Sequence, residues 1–388
     1  MLQRWRWFVA VGVGSVLAAG IACGSSEDAA PGTSDGGDTG DASIDGANPG
    51  DSAADSPLKG DAQVDGAAPL WRKISSPSAT NLHAASGCPR TGSLGAYCSG
   101  RVIALGAGNL AFNISVTGTV TPFTVPGATT NLLSVDLSDN GDMVVGGAQG
   151  QLTKFVVTNV DGGGSWVSTD AGATLDLATV HYAHIGSPFK VFAFGNHFGL
   201  TDVGGTITTL NGFDLATIVS SDGQQVENAA YAVGSAASGL GIILRTPSAN
   251  PANTLPDLIL ANAPKPLRGM YRSSGGASPS ACAVGEGGEI YYSSDAAVFN
   301  AEASGTTQDL FATFGTELNG LTGGKDIFAV GAAGTILRRS AAGTWSSEVS
   351  GTTENLRAGV IVEAGIKLYP VVVGDNGTVL VRLPVNVK

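Results

Sequence analysis

Clustered positive charge is almost missing from this chain. Its 388 residues carry 20 Lys and Arg against 32 Asp and Glu, and within residues 70–388 only Arg72-Lys73 and Arg338-Arg339 stand side by side. A nucleic-acid surface needs bases gathered on one face to neutralise phosphates, so nucleic acid is excluded as a partner. Helix-period apolar patterns are nearly absent too, which points away from helical layers. Long apolar runs are confined to one place, residues 8–22, and at about 15 residues that run is short of the roughly 20 a spanning helix needs. What the chain has in quantity is glycine, 57 residues, with abundant Ala, Ser and Thr, as suits many short strands joined by tight turns.

Those turns recur. A leucine, a short polar turn, an apolar run ending in glycine and a second apolar run repeat seven times, the glycines being Gly106, Gly146, Gly195, Gly234, Gly285, Gly331 and Gly374. The intervals are 40, 49, 39, 51, 46 and 43 residues, the period of a four-stranded blade that must stack on neighbours around a ring to bury both faces. Cys282-Ala283-Val284-Gly285-Glu286-Gly287-Gly288, Phe328-Ala329-Val330-Gly331-Ala332-Ala333-Gly334 and Val371-Val372-Val373-Gly374-Asp375-Asn376-Gly377 align without gaps. Gly147-Ala148-Gln149-Gly150 is a fourth copy of the turn, while the copies at Gly106, Gly195 and Gly234 are looser. An aromatic residue precedes the repeat leucine by 11 positions in Trp166 to Leu177, Phe299 to Leu310 and Trp345 to Leu356. Trp71 to Leu82 has the same spacing ahead of the first repeat, and the last repeat ends before any aromatic fourth strand. The expected fold is therefore all-β: a seven-bladed β-propeller over 70–388, closed by a strand near Trp71, from residues 71–76, that joins the last blade and removes the open edges.

Asn159-Val160-Asp161-Gly162-Gly163-Gly164-Ser165-Trp166 follows the pattern Ser/Thr-x-Asp-x-Gly-x-x-Trp except at its first position. Ser293-Ser294-Asp295-Ala296-Ala297-Val298-Phe299 and Ser340-Ala341-Ala342-Gly343-Thr344-Trp345 are degraded copies. On these residues the chain resembles the Asp-box (BNR-type) propellers, among them sialidase-like propellers and the photosystem II assembly and stability factors. The resemblance implies a structural role for Asp161, Gly163, Trp166, Asp295, Phe299 and Trp345, in a turn between third and fourth strands with the aromatic packed between blades. It also implies, by analogy alone, an assembly role.

Arg4 and Arg6 ahead of the 8–22 run make an export signal over 1–22. Gly20-Ile21-Ala22-Cys23 looks like a bacterial lipobox, which would make Cys23 a lipidated N-terminus on the outer membrane, with the lipid as the only membrane contact. Ordinary cleavage, with Cys23 lost or left free, and an uncleaved anchor are the alternatives. Residues 23–69 hold ten acids and one base, Lys59, among Gly, Ala, Ser and Pro; this composition cannot bury a core and reads as a disordered acidic linker. At about 5–6 Å × √n its reach is roughly 35–40 Å. Without it and the signal, residues 70–388 carry 17 Lys and Arg against 22 Asp and Glu, a mildly acidic domain. Cys88 and Cys98 flank a turn-rich insertion and, in an oxidising compartment, are expected to pair; Cys282 shares strand parity with Val284 and is expected to be buried.

Catalytic candidates are thin. His181 and His184 suggest a metal pair, but a separation of three in a strand puts them on opposite faces, and His83 and His197 stand alone. Arg245, Arg268, Arg272 and Arg357 sit in no recognisable catalytic context. No catalytic residue, metal or cofactor is assigned. The expected function is a non-enzymatic, membrane-tethered binding or assembly module of the cell envelope, a monomer that recognises a protein or glycan. Its binding face would carry the turn between second and third strands and the connection to the next blade: Glu286, Thr306, Thr307, Asp309, Thr353, Glu354, Asp375 and Asn376. The alternative is a carbohydrate-active propeller, either a lectin or a sialidase-like hydrolase, which would be marked by three convergent arginines or a carboxylate pair.

Overall fold

Seven antiparallel sheets, six of four strands and one of five, account for the fold in a computed structural model. It describes residues 70–386 except 88–99, 139–140, 159–162, 172–174, 184–189, 215, 225–228, 247–254, 274–278, 317–325 and 366. The expected lipidation at Cys23, the linker, the Cys88–Cys98 pair, Asp161 and His184 lie outside those residues. Blades 1 to 6 each run inner to outer in chain order, starting from Leu82–Gly87, Leu132–Leu137, Thr179–Ala183, Ala216–Gln224, Leu267–Arg272 and Leu310–Thr316. Blade 7 takes Leu356–Ala364, Lys367–Gly374 and Val379–Arg382 from the end of the described residues and Trp71–Ile74 from their start. Trp71 sits opposite Arg382 and Ile74 opposite Val379, the closure that the aromatic spacing predicts. A short strand, Val385–Asn386, also pairs with Lys367 and Leu368. Each first strand touches the first strand of the next blade, and that of blade 7 returns to blade 1, so the ring closes.

The repeat residues explain themselves in this geometry. Leu82, Leu132, Leu177, Leu267, Leu310 and Leu356 are all fully buried between blades, and the register Ile218↔Gly234 puts Ile218 in the same place in blade 4. In six blades a bulge follows this residue, as between Leu310 and Ala312, which bends the strand at the ring's inner edge. The turns at Ala148–Gly150, Glu286–Gly288, Ala332–Gly334 and Asp375–Gly377 each place two residues at positive φ. At the third position of the last three a Cβ would collide with a backbone carbonyl of the next connection, Thr352 O in the case of Gly334, so glycine is required there. Cys282 is fully buried, and that burial pushes its thiol up to about 12.

The outer strands are tied by a repeated ion-pair motif. Glu302 of blade 5 accepts two bonds from Arg339 of blade 6, at 2.8 and 2.6 Å, and one from the Trp345 indole at 2.8 Å. Glu348 of blade 6 does the same for Arg382, at 3.0 and 3.0 Å, and Trp71, at 2.8 Å, of blade 7. Trp71 is thus to blade 7 what Trp345 is to blade 6. The Glu302→Ala variant strands a mostly buried guanidinium and should lose about 2 kcal/mol in urea unfolding, with Glu302→Gln losing less because it can still accept from Trp345.

The degraded box at 293–299 is a local turn: the Asp295 carboxylate accepts from Ala297 N and Val298 N at 2.9 and 3.0 Å and from the Ser293 hydroxyl at 2.8 Å. The backbone bonds to Val298 and Ala297, then the Ser293 bond, hold its carboxyl down at about 2. Phe299 is buried, and Trp166 packs on Phe155 with centroids 5.1 Å apart. Gly163, before the strand carrying Trp166, offers its carbonyl to Thr158 N at 2.8 Å.

Candidate functional site

The residues predicted for the turn face lie in the turns and the connections beside them, and most of their polar groups are occupied by partners within the protein. Asp309 precedes the first strand of blade 6 and accepts from Gly287 N, in the blade 5 turn, at 2.7 Å. Asn355 serves Ala333 N at 3.2 Å, Asn81 serves Asn376 N at 2.9 Å and Asp176 serves Gln149 N at 3.2 Å. In four connections an Asx residue therefore staples the turn of the preceding blade. Glu354 accepts from the Asn376 side chain at 2.8 Å, and Thr306 Oγ1 from Gln308 N at 3.1 Å. Thr307 and Thr353, equivalent in two Ser-Gly-Thr-Thr segments, are exposed. Glu286 pairs with Arg268, and Asp375 with Arg357 at 3.0 and 2.9 Å and with Asn355 at 2.9 Å. The Arg357 bond, against burial, holds the Asp375 carboxyl below the usual range.

Those two arginines lead inward. Arg268 and Arg357 line a cavity of about 340 Å³ at the centre of the ring, bounded by the first strands of all seven blades. Arg357 lies over the Phe311 ring at 4.6 Å. His83 Nε2 meets Leu132 O at 2.8 Å, and burial lowers its pKa. The cavity wall has a physical problem to solve: the inner edge of every first strand presents N–H groups with no further strand to pair with. Side chains of the preceding blade answer it. Ser86 reaches Leu137 N at 3.1 Å, Asp136 reaches Tyr182 N at 2.9 Å, Thr179 reaches Ser221 N at 3.0 Å, Ser220 reaches Met270 N at 3.2 Å and Asp222 reaches Arg272 N at 2.8 Å. The wall from blades 1 to 4 is consequently polar, whereas blades 5 and 6 add the partly buried Tyr271 and Phe311 to the lining, and the Phe314 ring turns away to stack on Phe328 at 5.5 Å.

At the middle of the polar wall lies His181, 5 % exposed. Its Nδ1 is 3.1 Å from Asp136 Oδ2 and 4.0 Å from Asp222 Oδ1, and its Nε2 is buried with no hydrogen-bond partner. Burial opposes the charged ring, but the Asp136 bond and the charges of Asp136 and Asp222 outweigh it, against Arg272, so the pKa is raised. Asp136 takes four bonds in all, those from His181 and Tyr182, one from Ser86 at 3.1 Å and one from Leu137 N at 2.9 Å. Arg272 is 2 % exposed, with its guanidinium 5.2 Å from the Tyr231 ring. Among the described residues no group of His, Cys, Asp and Glu could hold a metal ion.

Sequence reasoning does not find this cluster, because its members lie about one blade apart. The signal that could have found it is register. Ser86, Asp136, His181 and Asp222 each stand four residues after Leu82, Leu132, Leu177 and Ile218, a polar position repeated in blades 1 to 4.

No protein-family model matches the chain, and no curated protein does. Solved structures do resemble it. A catalytically inactive virginiamycin B lyase from Staphylococcus aureus with quinupristin is 12 % identical over 81 % of this chain and 99 % of its own, with a TM-score of 0.59. YCF48 from Cyanidioschyzon merolae is 13 % identical over 80 % and 98 %, at 0.56, and the WD40 repeats of RRP9 are 8 % identical over 81 % and 97 %, at 0.62. At such identities the likeness concerns the fold: this chain is a seven-bladed β-propeller.

Proposed function

We propose that this chain is a non-enzymatic binding module of the bacterial cell envelope, lipid-anchored at Cys23 on the outer membrane, tethered by residues 23–69 and recognising a protein or glycan with its propeller. One observation carries the reading. The central cavity reaches the predicted turn face through Arg268 and Arg357, each preset by a carboxylate of that face, Glu286 and Asp375. Arginine and aromatic side chains held in place lose little entropy on binding, which is what recognition sites exploit. YCF48 and the RRP9 repeats share the fold, and an assembly role is carried over from the Asp-box resemblance by analogy.

The test is crosslinking in intact cells of the full chain with a C-terminal affinity tag. One dominant envelope component should be recovered with the wild type and lost with Arg268→Ala. Recovery of the same component with Arg268→Ala and with Phe311→Ala, or of none with the wild type, overturns the reading. The second reading, a carbohydrate-active enzyme, draws on the two carboxylates that flank His181 and on the lyase among the similar folds. Against it, the three cavity arginines do not converge: Arg268 and Arg357 bond to the turns, while Arg272 is sunk beside Tyr231. Asp136 is occupied by four hydrogen bonds. Turnover of chromogenic glycosides that is abolished by Asp222→Asn would establish that reading instead.

A further inference from the structure

The central cavity has two unlike walls and one group that nothing in the protein satisfies. On the polar side His181 Nε2 is buried without a partner, and a buried polar nitrogen left unmatched is costly. The groups around it alternate in kind. Asp222 is an acceptor with 29 % of its side chain exposed, Ser221 and Thr179 can donate or accept, and the imidazole is held in place by Asp136. Below the raised His181 pKa the charges around the floor balance, with His181 and Arg272 against Asp136 and Asp222, so neither a free anion nor a free cation is favoured there. In blade 6 Phe311 is only partly buried, with Arg357 over one face at 4.6 Å, and a ring with an apolar face can lie against its free part. The volume, about 340 Å³, is at the small end for ligand sites.

A hydroxyl donates and accepts at once and carries no charge, so a ring bearing several hydroxyls on its edge and C–H groups on its face matches both walls. The geometry points to the central cavity as a binding site for a neutral, monosaccharide-sized ring, held by His181 Nε2 and Asp222 on one side and stacked on Phe311 on the other. This deepens the binding reading above and rests on it, by giving the propeller a small-molecule class to recognise and placing it inside the ring instead of on the turns.

The full chain, labelled with ¹³C-histidine, has four histidines, so the His181 ring signal can be assigned with His181→Gln. Titration with the neutral methyl glycosides of glucose, galactose, mannose and N-acetylglucosamine should move that signal saturably for at least one of them. Phe311→Ala, at a partly exposed position, should weaken that glycoside roughly tenfold while leaving the unliganded His181 signal where it was. The inference is overturned if no glycoside shifts the signal, if acetate or methylammonium shifts it and the glycosides do not, or if Phe311→Ala binds as tightly as the wild type. Failure here with a cellular partner still captured in an Arg268-dependent way removes the sugar site and leaves the binding module. Loss of both removes the binding reading itself.

Discussion

Replacing Trp71 by alanine is expected to cost about 4 kcal/mol and to lower the melting temperature by roughly 5–10 °C. The indole is 3 % exposed, meets Phe328 edge-on at 6.0 Å and donates to Glu348 at 2.8 Å. It also anchors the only strand that joins the two ends of the described chain, pairing 71–74 with 379–382. The effect should therefore exceed that of the matching Trp345→Ala, which empties a half-buried site within a blade whose four strands are contiguous in sequence. Trp71→Phe should fall between, keeping packing on Phe328 and losing the Glu348 bond. Removal of residues 70–76 should broaden or split the calorimetric transition, because an open ring lets blade 7 unfold ahead of the rest. A Trp71→Ala protein that melts within about 1 °C of wild type would mean that closure is held elsewhere.

The architecture was readable because blades obey local rules. Gly285, Gly331 and Gly374 mark the ends of second strands, the following glycine marks a positive-φ turn, and the 11-residue step from aromatic to leucine points to residues 71–76 for the missing strand, which the structure forms over Trp71–Ile74. Burial of Cys282 followed from strand parity in the same way. The candidate site was much less legible, since its bonds join neighbouring blades: Asp136 and His181 are 45 residues apart, and no local pattern announces that their oxygen and nitrogen meet. Asp309 shows the converse limit. Its sequence context is that of a solvated turn residue, yet its carboxylate is taken by the backbone of the blade before it, and a single repeat considered alone contains no trace of that partner. The readings on Cys23, on Cys88 with Cys98 and on Asp161 rest on their sequence motifs, because those residues lie outside the described ones.

Asp136→Ala should be the most damaging change in the cavity wall, costing about 3–5 kcal/mol in urea unfolding. Its carboxylate is the common acceptor for Ser86, Leu137 N, Tyr182 N and the His181 ring, and deleting it strands a buried imidazole and the Tyr182 N–H, while Leu137 N keeps its bond to Ser86. In the double variant Asp136→Ala/His181→Phe the stranded ring is gone, so part of the loss should return, giving a coupling of about 1–3 kcal/mol. The pH dependence gives an independent sign. The folded His181 pKa is raised above 6.5, so its contribution is fully present below 6.5 and is lost as pH rises through the folded value. The stability of wild type over His181→Phe should accordingly be larger near pH 5 than near pH 9, a comparison in which the carboxylates common to both proteins cancel. With Asp136 absent, the main force raising that pKa disappears and burial pulls it down. Comparing Asp136→Ala with Asp136→Ala/His181→Phe, the trend must then reverse, the histidine costing stability as pH falls below 6.5. A wild-type advantage that is flat across this range would show that Asp136 holds His181 in place without sharing its proton, and the cavity would lose its charge balance as an argument for a neutral ligand.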